Sequence, residues 1–246
     1  MQFLYNIGRY FVFVKRVFAK PEKPKLYLLN IVREIWNLGV GSLGIVAIIS
    51  VFIGAVIALQ TAYNVTNPLF PLYYIGLGVR DSMMLEFSST IVGLILAGKV
   101  GSSIASEIGT MQVTEQIDAL EIMGINPASF LIMPKTIGML IFSPILTILS
   151  VTIGILGGYL AVLATAIIPL QDYLFGLTLD FVPYYLVYSI IKGLVFAFII
   201  TTVSGYQGYY ASGGSLEVGK ASTQGVVYSS ILILIFNLIL TQLLLA

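Results

Sequence analysis

Cysteine and histidine are both absent from this chain of 246 residues, and only 9% of its positions are charged. Without cysteine there are no disulfides and no thiolate nucleophiles. Without histidine there are no imidazole bases, and the usual zinc ligands go with the pair. An oxygen-only metal site would need clustered carboxylates, and outside a short acidic island at 107–121 no such spacing occurs. Twelve basic residues stand against eleven acidic ones, a formal net charge of +1, which offers no field for a nucleic-acid partner. The lack of cysteine fits any redox compartment. Soluble domains carry about 25% charged residues. Here 58% of the chain is hydrophobic instead, which predicts an all-α integral membrane protein.

Along the chain, an N-terminal interfacial amphipathic helix is expected over 1–20. Phe3, Ile7, Tyr10, Phe11, Val14, Val17 and Phe18 recur at helical spacing, with Arg9, Lys15, Arg16 and Lys20 on or flanking the other side. The charges follow the apolar residues, unlike those of a cleavable signal peptide. Pro21 and Pro24 break this helix, and 25–37 reads as a short elbow helix leading into the bilayer. From Ile35 to Val79 there is no charge at all. A crossing needs about 20 apolar residues, and five transmembrane helices are predicted at about 38–62, 82–105, 136–168, 183–206 and 224–245. Asn64, Asn67, Pro68 and Pro71 make a turn after the first. Pro144 predicts a kink or tilt in the third. Seven of the twelve basic residues lie in the first 33 positions, which places the N-terminus in the cytoplasm and, after five crossings, the C-terminus in the periplasm. Lys99, Lys135 and Lys220 then fall inside and Arg80 outside.

The 97–127 segment, AGKVGSSIASEIGTMQVTEQIDALEIMGINP, differs from the rest. Gly93, Ala97, Gly101, Ala105 and Gly109 put a small residue at every fourth position, with Gly98, Ser102, Ser106 and Thr110 in a parallel row. Both rows fall on one side of a helix and allow close backbone approach. Thr114 is placed to cap a short helix with Glu115 in its first turn. Asp118 and Glu121 continue an acidic face opposite Val113, Ile117, Leu120 and Gly124, with Gly124 at the C′ position and Pro127 ending the helix. An acidic cytoplasmic helix gains nothing from a negative inner leaflet, so it reads as a docking element for a soluble protein, against the plainer reading of a solvated loop.

Two further features have competing readings. The 214–222 segment, GSLEVGKAS, falls one residue short of a phosphate-binding loop. Ala221 stands at the hydroxyl position and no strand precedes the glycine, so a flexible cytoplasmic turn is expected and no ATPase is assigned to this chain. Lys192 lies inside the fourth span, where charge is costly. It either faces a buried partner or snorkels to the interface. Glu86, the acid at comparable depth in the second span, either pairs with it, faces a cavity, or sits in the headgroup layer.

The 97–127 segment closely resembles the signature of the MlaE-like permeases, membrane subunits of ABC lipid transporters that act with MCE-domain proteins. Residues 51–60 (VFIGAVIALQ), 191–197 (IKGLVFA) and 205–230 resemble further parts of the same family. The resemblance implies a homodimeric, multi-pass permease in the bacterial inner membrane that moves phospholipid or a related lipid. A separate cytoplasmic ATPase would hold ATP and Mg, with no cofactor in this chain, and an MCE-domain protein would exchange lipid outside. It implies a short cytoplasmic coupling helix seated on the ATPase, with Glu107, Thr114, Glu115, Gln116, Asp118, Glu121 and Met123 as coupling residues. It also implies a lipid cavity lined by Ile57, Asn64, Val65 and Glu86. Family members commonly read Arg-Glu-Leu-Gly-Pro where this chain has Leu85, Glu86, Phe87, Ser88 and Ser89, and Asn237 stands where an aspartate is common. The competing class is an ion-driven secondary transporter of a hydrophobic substrate. That class shows inverted repeats, and none is visible here. An intramembrane enzyme would lack its usual acid, base and nucleophile residues.

Overall fold

The computed structural model describes residues 2–19, 24–65 and 71–245. The expected contributions of Lys20, Pro21, Asn67, Pro68 and the Phe3 side chain lie outside the described residues. Among those described there is no strand. The helices are α1 (Gln2–Val17), α2 (Pro24–Glu34), α3 (Leu43–Asn64), α4 (Tyr74–Ser82), α5 (Val92–Leu96), α6 (Ser102–Val113), α7 (Gln116–Ile122), α8 (Pro127–Thr165), α9 (Leu170–Thr178), α10 (Tyr184–Tyr209) and α11 (Ser215–Leu245). Widened π-turns at Ile35–Gly39, Met83–Ile91 and Ala97–Gly101, and a 3₁₀ turn at Val40–Ser42, join several of them without a break. Five continuous helical stretches are long and apolar enough to cross a membrane: Leu26–Asn64, Tyr74–Val113, Pro127–Thr165, Tyr184–Tyr209 and Ser215–Leu245. The protein is an all-α integral membrane protein.

These stretches outrun the predicted spans because a helix does not stop where its hydrocarbon run stops. Pro127 opens α8 at the first helical position, where its missing N–H has no intrahelical partner to lose. Asn126 caps that helix by accepting the Ser129 N–H at 3.4 Å. Pro134 and Pro144 lie inside α8 without ending it. Residues 215–222 are the first turns of α11 rather than the flexible turn expected from their glycines.

The chain gathers into two compact units. The first comprises Met1–Ser42, Gly93–Phe142 and Val195–Thr241. Here α1 packs on the end of α10 through Phe13 and Val17, both fully buried. The Phe13 ring lies 5.5 Å from that of Tyr206 and 5.4 Å from that of Tyr209. Arg9 stacks over Tyr210 at 3.7 Å, and Tyr10 and Thr202 share a 2.7 Å hydrogen bond. Burial pushes the Tyr10 hydroxyl above its ordinary pKa, and the Thr202 hydrogen bond opposes that rise. The buried stripe is therefore 10, 13, 14 and 17. The expected stripe included Phe11 and Phe18, but these stay exposed, Phe11 edge-on to Tyr10 and Phe18 stacked on Phe198, each 6.0 Å between ring centroids.

The second unit comprises Leu43–Val92, Ser143–Leu194 and Gln242–Ala246. Its core is Ile57, Ala58, Ile75, Val79, Met83, Val162, Ile168 and Tyr173. Helices α3 and α8 touch backbone to backbone: a Cβ on Gly54 would lie 1.7 Å from the Gly154 carbonyl oxygen, so only glycine fits there. Ser50 and Ser150 share a 2.8 Å hydrogen bond along the same seam. Arg80, expected in an outer loop, is instead buried in α4. It donates to the Leu177 and Leu179 carbonyls at 3.0 and 2.6 Å and pairs with Asp81 at 2.8 Å. A guanidinium satisfies the free carbonyls at the end of α9 in the way a helix C-terminus favours.

Candidate functional site

The first candidate is the α6–α7 corner. Glu115 takes a left-handed backbone conformation, φ 60°, and stands at the N-cap position of α7. That corrects the expected cap. Thr114 instead ends α6, and its hydroxyl donates back to the Thr110 carbonyl at 2.8 Å. The sharp left-handed turn leaves no room for the extended backbone that a capping Thr would require. The other end follows expectation. Gly124 has φ 75°, and the Ile125→Leu120 and Gly124→Glu121 backbone bonds, at 3.0 and 2.9 Å, form a Schellman closure.

Of the expected coupling residues, Thr114, Glu115, Gln116, Asp118, Glu121 and Met123 are all exposed at this corner, while Ile117 is buried beneath them. Gln116 donates to the Thr114 hydroxyl at 3.1 Å, and Tyr209 donates to Glu121 at 3.4 Å. Ile122 and Met123 add bare hydrocarbon, 88% and 64% exposed. An acidic face edged by two protruding apolar side chains suits a protein groove better than water. Glu107 stands apart on α6, where it pairs with Lys135 at 2.8 Å. Lys135 also pairs with Glu34 at 2.8 Å and is itself buried.

The α6 stem is fixed by the first small-residue row. Gly93, Ala97, Gly101, Ala105 and Gly109 are all buried. A Cβ on Gly101 would lie 2.8 Å from the Ser204 hydroxyl, and one on Gly208 would lie 2.6 Å from the Ala105 carbonyl. The parallel row is less enclosed, and a Cβ on Gly98 would meet nothing within 4 Å.

The second candidate is an ion pair in the other unit. The Lys192 side chain is fully buried and donates to Glu86 Oε2 at 2.8 Å, to the Tyr188 hydroxyl at 2.9 Å and to the Leu85 carbonyl at 3.2 Å. Thr90 donates to Glu86 Oε1 at 2.9 Å. Lys192 therefore pairs rather than snorkels. Glu86 lies in the Met83–Ile91 π-turn with its side chain 40% exposed, so the cation is enclosed and the anion is presented. Widened turns of this kind recur at functional positions. Ile57 and Val65 belong to the core cluster around Met83, Val65 at its edge. Asn64 is exposed at the end of α3.

Sequence reasoning missed Glu34, Arg80 as a buried group, Tyr188, Tyr209 and the Asn126 cap. For Arg80 and Lys135 a signal existed: each is a lone cation beside a long uncharged run. The four-residue spacing of Tyr188 and Lys192 likewise puts the phenol one turn from the ammonium.

Five helical stretches long and apolar enough to cross a membrane, with an exposed acidic corner helix and an enclosed charge pair, define a multi-pass membrane protein. Comparison with known proteins makes this specific: residues 31–243 match the family Permease MlaE, and the chain belongs to that family. It is 38% identical over 243 residues to a probable ABC transporter permease protein of Rickettsia prowazekii, covering 99% of this chain and 93% of that one. It is 31% identical over 240 residues to a probable ABC transporter permease protein of Synechocystis, covering 95% and 88%. Over 229 residues it is 30% identical to the chloroplastic protein trigalactosyldiacylglycerol 1 of Arabidopsis thaliana, covering 89% of this chain and 63% of that one. The protein is a membrane permease of an ABC transporter, which implies an ATPase partner.

Proposed function

We propose that this permease moves phospholipid or a related lipid between the bacterial inner membrane and an MCE-domain partner. It works as a homodimer, N-terminus in the cytoplasm, with ATP and Mg held by a separate ATPase seated on α7. The observation that carries the lipid reading is the Lys192–Glu86 pair. A fully buried ammonium holds a partly exposed carboxylate inside an apolar span, a costly arrangement unless the exposed face meets something polar. A lipid headgroup supplies that polarity while its chains match the surrounding hydrocarbon. The glycolipid in the name of the Arabidopsis relative points to the same cargo class. On this reading Ile57, Asn64, Val65 and Glu86 border the lipid path, and Glu115, Asp118 and Glu121 meet basic groups of the ATPase.

The test is transfer of fluorescent phospholipid from vesicles holding the reconstituted permease–ATPase complex to purified MCE-domain protein. ATP-dependent transfer that falls at least tenfold in Glu86→Gln, with ATP hydrolysis retained, is the expected result. Transfer that follows an imposed ion gradient without ATP would support an ion-driven transporter instead.

A further inference from the structure

A polar pocket of about 450 Å³ lies within the first unit, its polar lining formed by Asn30, Arg33, Glu34, Asn37, Glu107 and Lys135. It belongs to neither site described above. Its volume falls in the range of small-molecule sites, roughly 300–1,000 Å³. The spacing of 30, 33, 34 and 37 puts four polar side chains on one face of α2 and the π-turn that follows it. At the base of the pocket, buried Lys135 holds one oxygen each of Glu34 and Glu107. The second oxygen of each carboxylate has no hydrogen-bond partner among the described residues, and neither do the Arg33 guanidinium and the Asn30 and Asn37 amides.

The unused groups are thus of two kinds. Arg33 and the amides are donors suited to a phosphate. The carboxylate oxygens are acceptors suited to a primary ammonium. Arg33 and Lys135 balance Glu34 and Glu107, so the lining is neutral and fits a neutral zwitterion. A quaternary ammonium has no N–H to give the carboxylates, and an anionic headgroup without a cation would face both of them unpaired. Leu29, Val32 and Trp36 run along the same helix beside the polar face, 69%, 67% and 69% exposed. The charge-free run of the first span begins at Ile35. A headgroup in the pocket would therefore have hydrocarbon beside it for its acyl chains, as polar pockets at the membrane ends of helices do.

We propose that this pocket binds the headgroup of a diacyl lipid bearing a phosphodiester and a primary ammonium, as in phosphatidylethanolamine. The bound lipid pins α2 to α6 and α8, next to the stem of the docking helix. This site does not depend on lipid being the transported cargo.

The test is native mass spectrometry of the detergent-purified permease–ATPase complex, with dioleoyl phosphatidylethanolamine, phosphatidylcholine or phosphatidylglycerol added at equal concentration. Phosphatidylethanolamine should be retained about tenfold over the other two, the scale set by charge-assisted hydrogen bonds. Glu107→Gln keeps an oxygen for Lys135 but offers no carboxylate to the ammonium, so it should remove that preference. Arg33→Gln and the Asn30→Ala/Asn37→Ala pair should lower retention of all three lipids by weakening the phosphate contact, and Arg33→Lys should restore part of that retention. Arg33 is exposed and has no partner among the described residues, so an unchanged melting temperature of Arg33→Gln shows that the fold is intact. Equal retention of the three lipids, undiminished preference in Glu107→Gln, or undiminished retention in Arg33→Gln would overturn the proposal. So would displacement by soluble phosphoethanolamine at concentrations equal to the lipid. A preference lost in Glu86→Gln but kept in Glu107→Gln would also overturn it, while leaving the transport reading in place.

Discussion

Lys192 has no water-exposed surface and donates to oxygens of Glu86, Tyr188 and Leu85, so the effect of a substitution depends on which partner it leaves behind. Glu86→Ala strands a buried ammonium, and breaking such a pair from one side costs up to about 3–5 kcal/mol. Lys192→Met leaves a carboxylate that is 40% exposed and still holds the Thr90 hydroxyl, so its cost should be smaller. Glu86→Gln offers a single oxygen where Lys192 and Thr90 use two, and it leaves the ammonium without a counter-charge, so it should cost more than Lys192→Met and less than Glu86→Ala. Thermal unfolding of the purified permease should therefore rank the variants with Glu86→Ala lowest, Glu86→Gln between, and Lys192→Met nearest wild type. The Glu86→Ala/Lys192→Met double variant should melt above Glu86→Ala alone, because removing both charges removes the stranded one. Additive losses would mean that the two side chains do not share their energy.

At the scale of elements, the α6–α7 corner separates backbone from charge. Glu115 occupies a conformation that costs a residue with a side chain about 1 kcal/mol relative to glycine. Glu115→Gly should leave the melting temperature unchanged or slightly higher and weaken ATPase attachment through lost charge alone. Glu115→Lys with Asp118→Lys should detach the ATPase during purification while the permease stays in the membrane. Co-purification at the wild-type level would remove α7 as the coupling element. The stem gives the matching packing test. Gly101→Leu drives a large side chain toward Ser204 and should destabilise by about 1–3 kcal/mol, whereas Ile104→Leu, a volume-conserving change at a buried position, should cost little.

Periodicity made much of this region legible. The four-residue row of small residues points to the face buried against Ser204 and Gly208, and Gly124 marks the end of α7. Thr114 was not legible, because the same Ser/Thr chemistry serves an N-cap or a hydroxyl bonded back into the preceding helix. Only the left-handed turn at Glu115 decides between them. Lys135 was hidden for a related reason. Its partners Glu34 and Glu107 are 101 and 28 residues away in sequence, and no local pattern encodes such a meeting.

At the scale of the whole molecule, the natural lack of cysteine makes the topology directly measurable. Every introduced thiol is the only one in the chain. Asp118 on α7, Ser212 between α10 and α11, and Gln171 on α9 are all exposed, and none lies in a crossing. From 118 to 171 the chain passes through α8 alone, and from 118 to 212 through α8 and α10. One crossing changes the side of the membrane and two restore it. On the proposed orientation, which rests on the basic residues crowded into the first 33 positions, the N-terminus and with it α7 lie in the cytoplasm. Asp118→Cys and Ser212→Cys should therefore resist a membrane-impermeant maleimide applied to the outside of spheroplasts and react once the membrane is opened. Gln171→Cys should react from the outside at once. An unreactive Gln171→Cys in intact spheroplasts, with the other two reactive, would invert the orientation. The α7 helix would then face away from any cytoplasmic ATPase, and the coupling role would fail with it. Protection of Asp118→Cys in opened membranes when the ATPase is co-expressed, with Ser212→Cys still reactive, would place the partner on the acidic face of α7 rather than along the whole cytoplasmic surface.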